Sequence, residues 1–313
     1  MQPGFLKEQT EQQPFFLYVS HKGVHSEFQP AERHVDEYVD KDPQHPPTMN
    51  PKVTGANSDV EYNYEDVPDW VKEQRHSWHG VDYMYHGQIK FDDFYRRYLE
   101  TLLSVDESIG EILDYLEKEG LLENTIVFYM GDNGFSFGEH GLIDKRHAYE
   151  ESIRVPLLLY GAEHMNGNDI EKMVQNIDIA PSILHMAGLD KPDNMDGKSF
   201  VPLLHGQDVD WRDRIYYEYF WERPFPQTPT TYAVRTEKYK YIRYHGIWDI
   251  NELYNLEKDP WEANNLIRDP EYKEIAKNLN QDLFEWLKET NGLNIPVRKD
   301  HGTKIDHKYK GTY

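Results

Sequence analysis

Between Thr125 and Tyr160 the chain reads TIVFYMGDNGFSFGEHGLIDKRHAYEESIRVPLLLY. A short apolar run of β character, Thr125–Met130, stops at Gly131-Asp132-Asn133-Gly134. Asp132 and Asn133 are therefore expected at the carboxyl end of a strand, where open α/β sheets bind their ligands. A carboxylate beside a neutral amide oxygen suits a hard cation such as Ca²⁺ better than Zn²⁺. Asp-Asn-Gly is also a good tight-turn sequence, and on its own the turn explains it. Further on, Lys145 offers three donors and a full charge to an anion, followed by Tyr149-Glu150 and Arg154-Val155-Pro156. Upstream, the apolar run Gln13–Ser20 empties into His21-Lys22-Gly23-Val24-His25, a second loop expected at a strand's carboxyl end. An imidazole there can donate to an anion or protonate a leaving alkoxide.

These segments, in this order, resemble the second half of the active site of the formylglycine-dependent sulfatases, in the alkaline phosphatase superfamily. The resemblance implies that Asp132 and Asn133 are calcium ligands, and that Lys145 and His25 are catalytic residues contacting the sulfate. It also makes His140 and His21 substrate-facing candidates. Zinc-dependent phosphate-cleaving relatives tend to place His where Asn133 stands, which favours the sulfate reading over a phosphoester or phosphonate hydrolase. Family members build the rest of the site from an N-terminal Asp-Asp pair and a C/S-x-P-x-R motif whose Cys or Ser becomes formylglycine. This chain has no Cys, and none of its Ser residues begins such a motif. The nucleophile is thus expected to be absent, and two metal donors fall short of the roughly six to eight oxygens calcium takes. The expectation is an N-terminally truncated sulfatase, about three-fifths of a usual member and inactive alone: either a truncated reading frame or one half of a split gene whose partner is a separate N-terminal half. A non-catalytic binder of sulfated glycans that retains half a site is the alternative from another class.

Composition narrows the partners. The formal charge is −22 across 313 residues, so nucleic acid is repelled at long range and no basic stripe offsets this. A sulfated glycan, the partner implied by the resemblance, needs a local cation cluster. No apolar run approaches the length of about 20 residues that spans a membrane, and Met1-Gln2-Pro3-Gly4 lacks a signal-peptide pattern. The compartment stays unassigned, although the resemblance implies an exported parent enzyme.

The elements that must hold these residues follow from spacing. Apolar positions from Phe94 to Leu116 recur every three or four residues, predicting one long helix over Asp92–Glu119. Gln13–Ser20, Thr125–Met130 and Val155–Tyr160 are expected as strands of a mostly parallel sheet flanked by helices. Residues 29–90 are broken by prolines and could wall a substrate pocket, with Trp78-His79 and Tyr83 as candidate sugar contacts. Asp178 is expected to cap a helix carrying Pro181 and stopping at Gly188, and Arg154 to pair with an acid such as Glu150. After about residue 210 the pattern becomes antiparallel: Thr231–Arg235 with Tyr239–Arg243, then Glu252–Leu256, then a helix over Pro270–Thr290. AVRTEKYKYIRY and ELYNLEKDPWEANNL resemble the small C-terminal subdomain of sulfatases. YYEYFWERPFPQTPTTYAVRT, which contains Trp221, resembles glycan sulfatases of the N-acetylglucosamine-6-sulfatase kind; His245 and Trp248 are further candidate sugar contacts. The expected architecture is an incomplete alkaline-phosphatase-like α/β domain (1–210), an antiparallel sheet-plus-helix subdomain (211–298) and a polar tail (299–313).

Overall fold

The computed structural model describes residues 14–50, 60–161 and 167–295; the 299–313 tail lies outside them. Two antiparallel sheets organise the chain. The smaller pairs β1 (Val127–Met130) with β2 (Leu157–Tyr160), and the larger runs in order through β3 (Arg214–Tyr219), β4 (Thr230–Thr236), β5 (Tyr239–His245) and β6 (Glu252–Asn255). The principal helices are α1 (Asp69–Gln74), α2 (Phe91–Lys118), α3 (Glu150–Ile153), α4 (Ile179–Met186), α5 (Val201–Leu204) and α6 (Lys273–Glu289).

The α/β class holds, whereas the parallel sheet does not: Val127 faces Tyr160 and Met130 faces Leu157 in an antiparallel register. The run expected as the first parallel strand has no strand structure over its described residues 14–20, and Phe16 and Tyr18 are 69% and 78% exposed. Apolar, β-prone side chains make a strand only where a neighbouring strand takes up their backbone hydrogen bonds in register, and this run joins neither sheet.

The C-terminal elements follow their alternation. Tyr232, Val234, Tyr241 and Leu253 point to one face and pack on Leu279, Leu283 and Leu287 of α6. Ala233, Ile242, Tyr244 and Tyr254 point to the other, where they meet Trp70 and Val71 of α1 together with Leu142, Ala148 and Tyr149. A period of two thus buries both faces of one sheet. Residues 211–295 share a core with residues of the preceding part. A third core gathers Phe28, Met84, Tyr85, Phe91, Phe94 and Ile143 where α2 begins.

Asp178 is not a simple helix cap. Its carboxylate is buried, accepts from the backbone N–H groups of Gln175 (2.8 Å) and Lys198 (2.8 Å), and is gripped by Arg212. Gly188 follows α4 with φ of +69°, as expected of a helix stop. Arg154 does not pair with Glu150, which goes instead to Arg235 and Lys240. Glu150 is held inside the C-terminal interface while Arg154 is exposed.

Candidate active site

The chain leaves β1 at Met130 and returns to β2 at Leu157, and the 26 intervening residues, 131–156, form one excursion. Its two limbs are tied by backbone hydrogen bonds from Gly131 N to Pro156 O (3.3 Å), Gly134 N to Ser152 O (2.9 Å) and Ser136 N to Asp144 O (2.8 Å). The glycine after Asp132-Asn133 is required by this approach: a Cβ on Gly134 would fall 1.9 Å from Glu151 O. Asp132, Asn133 and Lys145 therefore sit on a single cross-tied excursion.

Asp132 and Asn133 are exposed at the end of β1. Asp132 Oδ1 accepts from Asn133 N at 2.9 Å, and Asn133 Nδ2 donates to Gly134 O at 2.7 Å. With its amide nitrogen so engaged, Asn133 keeps its side-chain oxygen as an acceptor on an exposed residue. The pair fits a hard cation as two oxygen donors. Among the described residues no group of three or more His, Asp or Glu side chains completes a metal site.

Lys145 is half-buried, with its backbone N–H donating to Asp144 Oδ1 at 2.7 Å. Asp144 is buried between His79 (3.2 Å) and Arg146 (2.6 Å). Burial alone would raise its carboxyl, but the hydrogen bond and charge of His79, with Arg146 beyond, hold it well below the usual range. Lys145 thus projects from a loop whose neighbouring anion is already neutralised.

His25 and His21 lie on a loop carried by α2. His21 Nε2 is 3.0 Å from Ser108 Oγ, which occupies it on the helix, while His25 is exposed with Nδ1 2.5 Å from Ser26 O. Phe28 on the same loop packs against Phe94 of α2 and Phe137 of the excursion, so one aromatic cluster joins the two loops. His25 makes no hydrogen bond or ion pair to Asp132, Asn133 or Lys145 among the described residues. His140 is not a loop histidine facing outward. It is 1% exposed and stacks on Tyr149 at 3.9 Å, and burial drives its imidazole down to about 3, so it is neutral.

Sequence reasoning missed the polar centre that anchors this excursion. Lys240 of β5, fully buried, lies 2.8 Å from both Glu150 and Glu262. Glu262 also accepts from Glu150 N at 2.7 Å, holding the start of α3. Burial alone would raise Glu150, but Lys240 and Arg235 bring it down to about 2. Next to it, Glu252 accepts hydroxyl hydrogen bonds from Tyr149, Tyr244 and Tyr254, and burial lifts its carboxyl to about 7. The only signal in the sequence was Lys240 at an inward-facing position of an alternating strand.

Comparison with known proteins bears on the family of the chain. The sulfatase family model matches residues 3–189, and that of the N-sulphoglucosamine sulphohydrolase C-terminal region matches residues 138–289. The N-acetylglucosamine-6-O-sulfatase of Bacteroides thetaiotaomicron is 39% identical over 204 residues, covering 64% of this chain and 37% of that protein. The N-acetylglucosamine-6-sulfatase of Bos taurus is 32% identical over 302 residues, covering 85% of this chain and 51% of that one. The chain thus spans about half or less of the length of these relatives. The solved structure of BT4656 in complex with its substrate D-glucosamine-2-N,6-O-disulfate superposes with a TM-score of 0.76 at 27% identity, covering 93% of this chain and 69% of that one. On the family match, which takes in most of the chain and both limbs of the Asp132–Lys145 excursion, this protein belongs to the sulfatase family.

Proposed function

We propose that this chain supplies the sulfate-binding part of a sulfatase acting on the 6-O-sulfate of a glucosamine-type sugar. The observation that carries the reading is the single excursion bearing both the Asp132-Asn133 oxygen pair and the Lys145 ammonium. The relatives named for N-acetylglucosamine 6-sulfate support the substrate class.

In this reading Lys145 faces the sulfuryl oxygens and stabilises the negative charge they carry in the transition state. His25, whose Nδ1 donates to the Ser26 carbonyl, offers Nε2 to the leaving oxygen and, as imidazolium, gives it a proton. Asp132 and Asn133 would hold calcium, which when bound places positive charge against the ester oxygens. No residue fits the nucleophile: the sequence has no Cys, and no Ser stands in an S-x-P-x-R pattern. No covalent step is therefore assigned to this chain. We propose that it releases no sulfate alone, the nucleophile coming from a further sulfatase segment. The exposed apolar groups Leu158 and Tyr160 on β2, with Phe16 and Tyr18, give such a segment a surface to cover.

The test is binding followed by turnover. N-acetylglucosamine 6-sulfate titrated into the chain should bind saturably, and Lys145→Ala should weaken it about tenfold or more, the scale for removing a charge-assisted contact. Binding indifferent to Lys145→Ala would overturn the site. Sulfate release by the chain unaided would reveal a nucleophile that the reading lacks.

A further inference from the structure

Three asparagines of this chain precede a glycine: Asn133, Asn166 and Asn291. Asn166 lies outside the described residues, whereas the other two pairs are described in full. Such a pair can modify itself. The glycine N–H loses its proton to a base, and the bared nitrogen attacks the asparagine Cγ. A new C–N bond closes a cyclic imide as the Cγ–Nδ2 bond breaks, and the departing nitrogen takes up a proton and leaves as ammonia. Water then opens the imide at either carbonyl, giving aspartate or, with an extra methylene in the main chain, isoaspartate. Glycine is the most open successor because no Cβ shields its nitrogen or restricts its backbone. Local sequence therefore treats the two pairs alike, and the structure separates them.

At Asn133 both reacting groups are held. Gly134 N donates to Ser152 O at 2.9 Å, across the two limbs of the excursion. Asn133 Nδ2 donates to Gly134 O at 2.7 Å, which pins the carboxamide. Attack requires the peptide between them to turn, and that turn breaks both bonds.

At Asn291 neither group is held. The residue follows α6 with φ of +62° and is exposed, and the Gly292 N–H makes no backbone hydrogen bond among the described residues. Asn294 Nδ2 donates to Asn291 Oδ1 at 2.5 Å. Negative charge develops on that oxygen when the nitrogen attacks, so a donor already placed there favours the tetrahedral intermediate.

We infer that Asn291-Gly292 is a site of self-modification to aspartate and isoaspartate, assisted by the Asn294 side chain, and that the Gly134–Ser152 tie protects Asn133 from the same reaction. The inference stands apart from the sulfate reading. It gives the tie a second role, preserving the neutral amide of the exposed oxygen pair. The product at position 291 bears on α6. Gly292 sits so closely that a Cβ would fall 2.7 Å from Glu218 Oε1 and 2.8 Å from Leu287 Cδ2. A lengthened main chain and a new carboxylate there should loosen the last turn of the helix.

The test ages the 313-residue chain in mildly alkaline buffer and locates aspartate and isoaspartate by peptide mass spectrometry. The same chain unfolded in guanidinium chloride is the reference, in which the two pairs should react at similar rates. In the folded chain position 291 should keep or exceed its reference rate. Position 133 should slow about tenfold or more, the scale of two hydrogen bonds that must break. Asn294→Ala should slow position 291 about two- to tenfold, the range of one hydrogen bond, and leave position 133 unchanged. Equal folded rates at the two positions would overturn the protection of Asn133. A folded chain that does not react at position 291 would overturn the site. An Asn294→Ala chain that ages like the unaltered one would overturn the assistance.

Discussion

Lys145 and Arg146 are consecutive cations with different surroundings. Arg146 is committed to Asp144 and Phe225, whereas the Lys145 backbone alone contacts Asp144. The carboxylate beside them is thereby neutralised by His79 and Arg146, and the Lys145 charge stays available to an anion. Their order made it legible in the sequence that Asp132, Asn133 and Lys145 follow one strand, and the structure carries all three on a single cross-tied excursion. The burial of His140 was not legible, since its neighbours Tyr149 and Tyr62 arrive from different loops. The same is true of Glu252, which yields a prediction. Burial raises its folded-state carboxyl to about 7 from an ordinary value near 4.5. The folded state therefore holds a proton that the unfolded state releases as pH climbs from the ordinary value. The stability contributed is fully present at acid pH and is lost as pH rises through about 7, on the order of 3 kcal/mol for this group. Urea unfolding at pH 5 and pH 8 should show this decline in the unaltered chain and a flatter profile in Glu252→Gln. An identical pH profile in both would contradict the assignment.

At the scale of elements, legibility followed the range of the interaction that makes each element. α2 was expected over Asp92–Glu119 and is found over Phe91–Lys118, because a helix satisfies its own backbone and its apolar stripe is local. The β4–β5 hairpin was found for a similar reason: a short turn fixes its pairing. Pairing across distance was not encoded locally. β1 and β2 were expected to be parallel and pair antiparallel across a 26-residue excursion, while residues 14–20 have the right composition and join neither sheet. The excursion depends on the Lys240 centre, where α3 is joined to β5 and the turn after β6. Lys240→Met should leave Glu262 buried without a counter-charge and Glu150 with Arg235 alone, costing about 3–5 kcal/mol. Denaturant titration measures this directly. A loss below about 1 kcal/mol would mean that the carboxylates take up protons at little cost. Gly134→Ala, which drives a Cβ into Glu151 O, should separate the limbs of the same excursion. It is expected to weaken sulfated-sugar binding while leaving the C-terminal sheet folded, measurable by NMR of the two regions.

At the scale of the whole molecule the difficulty is charge, since on the proposed function a protein of formal charge −22 accepts an anionic ligand. Two fields act at different distances. On the proposed function Lys145 attracts a sulfate at contact, while 56 acidic residues against 34 basic ones repel it from afar. At about 0.1 M salt the screening length is roughly 10 Å, so added salt removes the distant repulsion more completely than the contact attraction. A sulfated monosaccharide fits within the range of the local cations and should bind somewhat more weakly as salt rises. A long sulfated oligosaccharide extends under the acidic surface, so its binding should weaken less than that of the monosaccharide, or strengthen, over the same range. Calorimetry of both ligands between about 0.02 and 0.2 M salt reads this ratio, the screening length shrinking about threefold across the interval. A steep fall in oligosaccharide affinity with salt, of the kind counterion release produces, would instead require a continuous basic track along the surface. Such a track would contradict the view that cationic recognition is confined to the Lys145–Arg146 loop and that the rest of the surface rejects polyanions.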